Sequence, residues 1–323
     1  MTLHENPELF SELITLSADM LGMREIYIEK DYWLCMILRN LADSDPEIFN
    51  RVVFKGGTAL SKAHKLIHRF SEDIDLVYIA EGLSGNQIKN KLKAVEYVLL
   101  PDILKVIEKH SQESKGSSLR KTVHRYPRIV QGQFGDAVDA LIVELNAFAN
   151  PTPFSRKNIS TYIVEFLVSK GSDELIQQYG LESFEVNVLE TQRTLCEKIS
   201  AVARASYEGH DYLQAKIRHF YDIYWLLKDP DTYQFLQSDA FREMMKMVIE
   251  EDLNIAQWAS KSIFKSPIHL DHIGTMLPLK RYYETTFSSL VYGKLPSFED
   301  VIEEYSSVRQ RVQEMKTEAP QSF

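Results

Sequence analysis

Phe54-Lys-Gly-Gly-Thr-Ala-Leu-Ser-Lys-Ala-His64, followed closely by Arg69-Phe-Ser-Glu-Asp-Ile-Asp-Leu-Val77, is the stretch on which the reading of this chain turns. Arg51-Val-Val-Phe54 reads as a short buried strand that stops at Lys55-Gly56-Gly57. The spacing of Leu60, Ala63 and Ile67 then predicts a helix from Thr58 to about His68. A strand that ends in glycines and enters a helix brings backbone N–H groups against a phosphate. The glycines permit close approach, and the helix start supplies unpaired donors. The loop is not a P-loop, because Gly56 and Gly57 are adjacent and no Gly-Lys-Ser/Thr follows.

Asp73-Ile-Asp-Leu-Val-Tyr-Ile79 alternates polar with apolar residues and then turns wholly apolar, as a strand entering a core does. On that strand Asp73 and Asp75 leave the same face. Two carboxylates side by side repel unless a cation lies between them. Mg²⁺ suits such a pair, being a hard ion that takes oxygen ligands and keeps waters for substrate phosphates. The plainer alternative is a pair of capping or turn acids. Glu144 in Leu141-Ile-Val-Glu-Leu-Asn146 is the candidate third carboxylate, since a charge inside an apolar strand needs a reason. Its alternative is a place on a solvated sheet face.

Outward from this core, Pro7 opens a short helix and Ile26 to Leu41 has helical periodicity. A helix from Gln87 to Lys109, broken or kinked near Pro101, precedes a basic, loop-rich segment from Lys115 to Phe134. Ala140 to Ala147 reads as a strand, and Val186 to Leu189 as a short strand or a helix entry. Thr191 to Leu227 reads as two helices broken near Gly209. From Asp229 onward the chain is helix-forming and aromatic, with a fraying tail from Lys316 to Phe323. We place the domain boundary near residue 185, giving a strand-bearing region 1–185 and a helical region 186–323.

The 323 residues carry 37 Lys+Arg against 46 Asp+Glu, a formal charge of −9. With 44% hydrophobic and 26% charged residues, a disordered or collagen-like chain is excluded. Two cysteines, Cys35 and Cys196, make no disulfide scaffold. No apolar run spans a bilayer, and Met1 to Phe10 carries Glu5 and Glu8 without a basic n-region, so the expected address is the cytoplasm, away from membranes. Two basic islands interrupt this acidity. Arg51, Lys55, Lys62, Lys65 and Arg69 read as partners for nucleotide phosphates. Lys115, Arg120, Lys121, Arg125 and Arg128 read as an RNA-backbone site or as solvated loop charge.

Gly56-Gly57-Thr58 followed by Arg69-Phe-Ser-Glu-Asp-Ile-Asp75 resembles the AbiEii/AbiGii toxin family, within the DNA-polymerase-β-like nucleotidyltransferase superfamily. Three further stretches agree in order: Ile28-Glu-Lys-Asp-Tyr-Trp33, Glu197-Lys198 with Ala201, and Arg218-His-Phe-Tyr-Asp222. The likeness covers about residues 25 to 230. It implies an α+β fold, a mixed sheet flanked by helices and followed by a mainly helical C-terminal region that contributes to the active site. It further implies that Gly56, Gly57 and Thr58 cradle the triphosphate of an NTP, with Lys62, Arg69 and Arg218 as further nucleotide-binding cations. Asp73, Asp75 and Glu144 would hold Mg²⁺, and Glu144 would also activate the attacking hydroxyl. Lys198 would neutralise the β/γ-phosphates, with Asp222 in the catalytic pocket. Family members act as toxins of type IV toxin–antitoxin and phage-abortive systems, and some add nucleotides to the 3′ end of tRNA.

On the residues alone, Lys198 also fits a snorkelling surface lysine and Asp222 an ion pair with Arg218. The implied partners are an NTP, an RNA acceptor such as tRNA, and a cognate antitoxin that need not bind directly. Two other functions use the same residues: nucleotidylation of a protein partner, and a catalytically silent nucleotide-binding scaffold.

Overall fold

Two short strands, the first buried along Val52, Val53 and Phe54 and the second alternating in burial at its start, form the middle of the sheet. Val52–Lys55 (β1) and Asp73–Tyr78 (β2) pair antiparallel, with Lys55 opposite Asp75 and Val53 opposite Val77. The computed structural model describes residues 2–101, 103–106, 114–135, 137–255 and 273–317. These divide into two units, Met1–Leu189 and Glu190–Phe323.

In the first unit, Pro7–Leu21 (α1) is capped by Asn6, whose side chain accepts from the Leu9 N–H at 3.3 Å, and Pro7 sits where a missing N–H costs nothing. Glu25–Ala42 (α2), Pro46–Phe49 (α3), β1, Gly56–Lys62 (α4) and β2 follow, then Gly85–Leu99 (α5) behind a Ser84/Gln87 capping box. The remaining elements are Lys105–Val106 (β3), Ser114–Lys115 (β4), Leu119–Arg125 (β5), Leu141–Asn146 (β6), Phe154–Ile159 (β7), Tyr162–Ser169 (α6), Asp173–Gln178 (α7) and Phe184–Leu189 (β8). The sheet runs β3-β5-β6-β2-β1-β8-β7, with β4 on β5. It is mixed: β2 lies parallel to β6 and antiparallel to β1, while β1 lies parallel to β8. This is the α+β architecture expected, a mixed sheet flanked by helices.

The second unit is helical: Thr191–Glu208 (α8), His210–Gln214 (α9), Ile217–Leu226 (α10), Pro230–Leu236 (α11), Asp239–Ile255 (α12), Ile273–Thr285 (α13) and Phe298–Thr317 (α14). Its core gathers Leu195, Val202, Phe220, Ile223, Phe241, Tyr283, Val301 and Tyr305, all buried. Tyr221 and Trp225 of α10 pack edge to face at 6.3 Å, as helix-packing aromatics do. No helix of the described residues is long and apolar enough to cross a membrane.

Several local expectations need correction. The helix after Gly57 ends at Lys62, not His68, because Lys65 takes a left-handed φ of 56° that no helix continues. The next helix stops at Leu99, the break rather than the kink of the two expected near Pro101; Leu100 is extended, as the residue before a proline prefers, and residues 107–109 lie outside the described residues. The segment read as a basic loop contains the seven-residue strand β5. Val186 to Leu189 takes the first of its two readings and belongs to a strand, β8, while the edge strand β7 falls in a stretch to which the sequence assigns no element. The end of the predicted tail, 318–323, lies outside the described residues.

Candidate active site

The strand β2 shows the burial alternation its sequence dictates: Asp73 and Asp75 are half-buried on one face, while Ile74 and Leu76 are buried on the other. The glycine turn lies directly on these acids. Gly56 has φ 80°, and a Cβ built there would meet Asp75 Oδ2 at 2.1 Å. A Cβ on Gly57 would meet Arg69 Nη2 at 2.5 Å and Ser71 Oγ at 2.8 Å. Only residues without side chains let the turn come this close to the carboxylate and the guanidinium. Thr58 ties the turn to the strand, its hydroxyl donating to the Asp73 carbonyl at 2.6 Å. Thr58→Val removes that bond at a buried site and is expected to cost about 1 kcal/mol, read as a lower thermal midpoint.

Glu144 lies on β6 in register with Asp75, so the two share a face one strand spacing apart, about 4.8 Å. The row continues on both sides. Lys55 of β1 faces Asp75, and Lys121 of β5 faces Glu144 with Nζ 3.6 Å from Oε2. Four adjacent strands thus present cation, acid, acid, cation on one face. Beside Asp73, Ile142 of β6 stands in register and clusters with Val123 and Ala140 as an apolar patch. Among the described residues, no three His, Cys, Asp or Glu side chains converge tightly enough to hold a metal unaided. The donor set still suits a hard cation completed by water and phosphate oxygens: two carboxylates on one face, and a glycine α-carbon that keeps the space beside Asp75 clear of a side chain.

The cations around the site are placed less evenly than the sequence suggests. Lys62, expected to reach the nucleotide, turns inward: it is 2% exposed, its Nζ is 2.7 Å from Asp31 Oδ1, and it lies 3.8 Å from the Tyr162 ring centroid. Arg69 is also buried, donating to the Phe70 carbonyl at 3.2 Å while packing under Gly57. The second basic island is largely matched by acids. Lys115 and Arg120 pair with Glu96, Lys121 with Glu144, and Arg128 with Asp139 at 2.8 Å.

Behind the sheet, α2 buries three consecutive charged residues that the sequence reading used only as a likeness. The Glu29 carboxylate accepts from the N–H groups of Ile129 at 2.7 Å and Val130 at 3.1 Å. Lys30 pairs with Glu72 at 2.8 Å, and Asp31 with Lys62 and with the Tyr162 N–H at 2.8 Å. Burial pushes the Glu29 carboxyl up, opposed by those two N–H bonds. It pulls the Lys30 ammonium down, opposed by Glu72, and pushes the Asp31 carboxyl up, opposed by Lys62. The signal in the sequence is a Glu29-Lys-Asp31 run set between Ile26-Tyr-Ile28 and Tyr32-Trp-Leu34, whose apolar neighbours on both sides leave it little access to water.

In the second unit, Lys198 and Asp222 come together. Lys198 Nζ lies 2.8 Å from Asp222 Oδ2 and 3.3 Å from His219 Nδ1, with Asp222 fully buried. Lys198 is therefore not a snorkelling surface lysine. Arg218 lies on α10, one turn before Asp222. Neither cysteine is a candidate nucleophile: burial pushes the Cys35 thiol up to about 12 and raises that of Cys196 as well.

The family model described as "Nucleotidyl transferase AbiEii toxin, Type IV TA system" matches residues 39–304. That span begins after the buried charges of α2 and runs well past Asp229, where the sequence alone offered no likeness. No curated protein matches the chain. Among solved structures, MenT4, a nucleotidyltransferase toxin from Mycobacterium tuberculosis H37Rv, is similar with a TM-score of 0.56 at 15% identity, over 95% of this chain and 90% of that one. At that identity the likeness speaks for the fold, whereas the family match covers most of the sequence. The chain belongs to the AbiEii family of nucleotidyltransferase toxins of type IV toxin–antitoxin systems.

Proposed function

We propose that this nucleotidyltransferase is Mg²⁺-dependent and transfers nucleotides from an NTP to RNA, with the 3′ end of tRNA as acceptor. The observation that carries the reading is the 2.1 Å approach of a would-be Gly56 Cβ to Asp75, which sets a glycine turn directly against the acid pair. Asp73 and Asp75, with Glu144 one strand away, would hold the metal. When bound, it would screen phosphate charge and acidify the attacking hydroxyl. Gly56 and Gly57 offer backbone N–H groups without a Cβ in the way, so a triphosphate can lie along the turn. Thr58 holds that turn against β2 through the Asp73 carbonyl. Glu144 is the proposed acceptor of the hydroxyl proton, with Lys121 Nζ 3.6 Å from its Oε2. In the second unit, Lys198 is proposed to balance charge on the departing pyrophosphate, oriented by Asp222. Lys62 and Arg69 enter the proposal through the turn they support, since both are buried.

The test incubates the purified protein with each of the four labelled NTPs, total tRNA and total cell protein. Label is expected in tRNA, abolished by EDTA and restored by Mg²⁺. Overproduction is expected to arrest growth, and Asp73→Ala to relieve the arrest together with labelling. Label that enters only protein overturns the acceptor. Relief of arrest by a variant that still labels tRNA overturns the link between chemistry and toxicity.

A further inference from the structure

The position of Glu144 beside Asp75 depends on the register of β6 against β2, and the sequence of β6 specifies that register poorly. Leu141, Ile142, Val143 and Leu145 are apolar and buried on both faces, so a slip by one residue would still bury hydrophobic side chains. Such a slip would carry Glu144 to the opposite face. Something outside the strand has to set it.

Lys30 and Glu72 stand where that can be done. Glu72 immediately precedes Asp73, the first residue of β2, and Val138 lies three residues before β6. The Lys30 ammonium donates to the Glu72 carboxylate at 2.8 Å and to the Val138 carbonyl at 2.7 Å, while the Val138 N–H donates to the same Glu72 carboxylate. Both polar backbone groups of Val138 are thus clasped, one by each member of a buried ion pair. The clasp sits at the end of the β2–β6 ladder where Asp73 meets Ile142, two residues before Asp75 meets Glu144. Its surroundings hold Lys30 in place: the ammonium lies 5.9 Å from the Phe70 ring centroid and 5.7 Å from that of Phe134. The Tyr27 hydroxyl donates to the Phe134 carbonyl at 2.9 Å, and Glu29 holds Ile129 and Val130, so α2 grips the whole segment that leads into β6.

We infer that Lys30 and Glu72 are positioning residues that fix the register of β6 against β2 and so place Glu144 beside Asp75. The catalytic importance of that placement rests on the reading of the site under Proposed function; the register claim itself does not. A buried pair kept only for stability can be exchanged for apolar residues at little cost. A pair that sets register cannot, because hydrophobic side chains lack the directed bonds to Val138.

The experiment uses Lys30→Met/Glu72→Leu in the full chain, alone and together with Asp75→Cys/Glu144→Cys as a register reporter. Neighbouring strands place the two α-carbons within disulfide range. The unaltered clasp is expected to give the 75–144 disulfide on oxidation, and the apolar clasp to lose most of it while the protein still unfolds in one cooperative transition. Without the reporter cysteines, the apolar clasp is expected to weaken Mn²⁺ binding, followed by electron paramagnetic resonance, by about 10- to 100-fold. The transfer kcat should fall by a similar factor, as when groups behind metal ligands are removed, with little change in the KM for NTP. A disulfide that forms equally well with the apolar clasp overturns the inference, as does its absence when the clasp is intact. A disulfide that depends on the clasp in a protein whose parent transfers no nucleotide overturns the reading of the site and leaves the register claim standing. Should the double variant not fold, Glu72→Gln, which keeps the shape and removes the charge, is read by the same two measurements.

Discussion

Gly56→Ala is expected to lower nucleotide transfer by at least about 100-fold, the loss that follows when a reacting group is displaced by about an ångström. The added methyl would lie 2.1 Å from Asp75 Oδ2 and 3.0 Å from its Cγ, so either the carboxylate or the turn must move. Part of the damage is backbone strain, since φ is 80° at this position and an L residue there costs about 1–2 kcal/mol. Gly82 supplies the control. Its φ is 77°, and a Cβ built on it meets nothing within 4 Å. Gly82→Ala should therefore show the same strain as a lower melting temperature while transfer stays at the parent rate. Initial rates and melting curves for the two variants separate strain from collision. Equal loss of activity in both would refute the claim that the turn is built around the acid.

Asp222→Ala has the second largest expected effect, this time on stability. Asp222 is fully buried and Lys198 nearly so, their charged atoms 2.8 Å apart. Removing the acid strands a cation out of water, which costs about 3–5 kcal/mol, whereas apolar residues in both places are often tolerated. A lower thermal midpoint, on the order of 10 °C, is expected for Asp222→Ala. Lys198→Met/Asp222→Leu should recover most of it. If Lys198 also balances phosphate charge, the doubly apolar variant is stable and transfers no nucleotide. Recovery of both stability and transfer would reduce the pair to a packing device.

The features legible in the sequence are those whose cause is local. The glycine turn, the alternation that puts Asp73 and Asp75 on one face, and the strand around Glu144 each follow from a few consecutive residues. What escaped reading depends on partners far along the chain. Lys62 stands in a stretch without acids and so looks like a phosphate ligand, yet Asp31 on α2 neutralises it. The strand β5 looks like a basic loop because Arg120 and Lys121 have no acid nearby in sequence; Glu96 and Glu144 supply one across space. The strand β7, Phe154–Ile159, carries Arg156 and Lys157 as an exposed edge strand does, which erases the hydrophobic signal that marks interior strands. Pro101 marks the end of its helix from the sequence alone, because a proline ring disfavours helical backbone in the residue before it; of a break or a kink, the chain takes the break.

The order of the strands has a consequence for synthesis. β1, the glycine turn and β2 leave the ribosome together, but β6, which lies between β2 and β5, comes only after the 15-residue helix α5 and the strand β5. A nascent or prematurely terminated chain that lacks residues 141–146 therefore has no Glu144 and leaves one side of β2 without its neighbour. Long-range pairing of this kind forms late. Such a fragment carries an open sheet edge, the kind of unpaired strand that makes incomplete chains prone to aggregate.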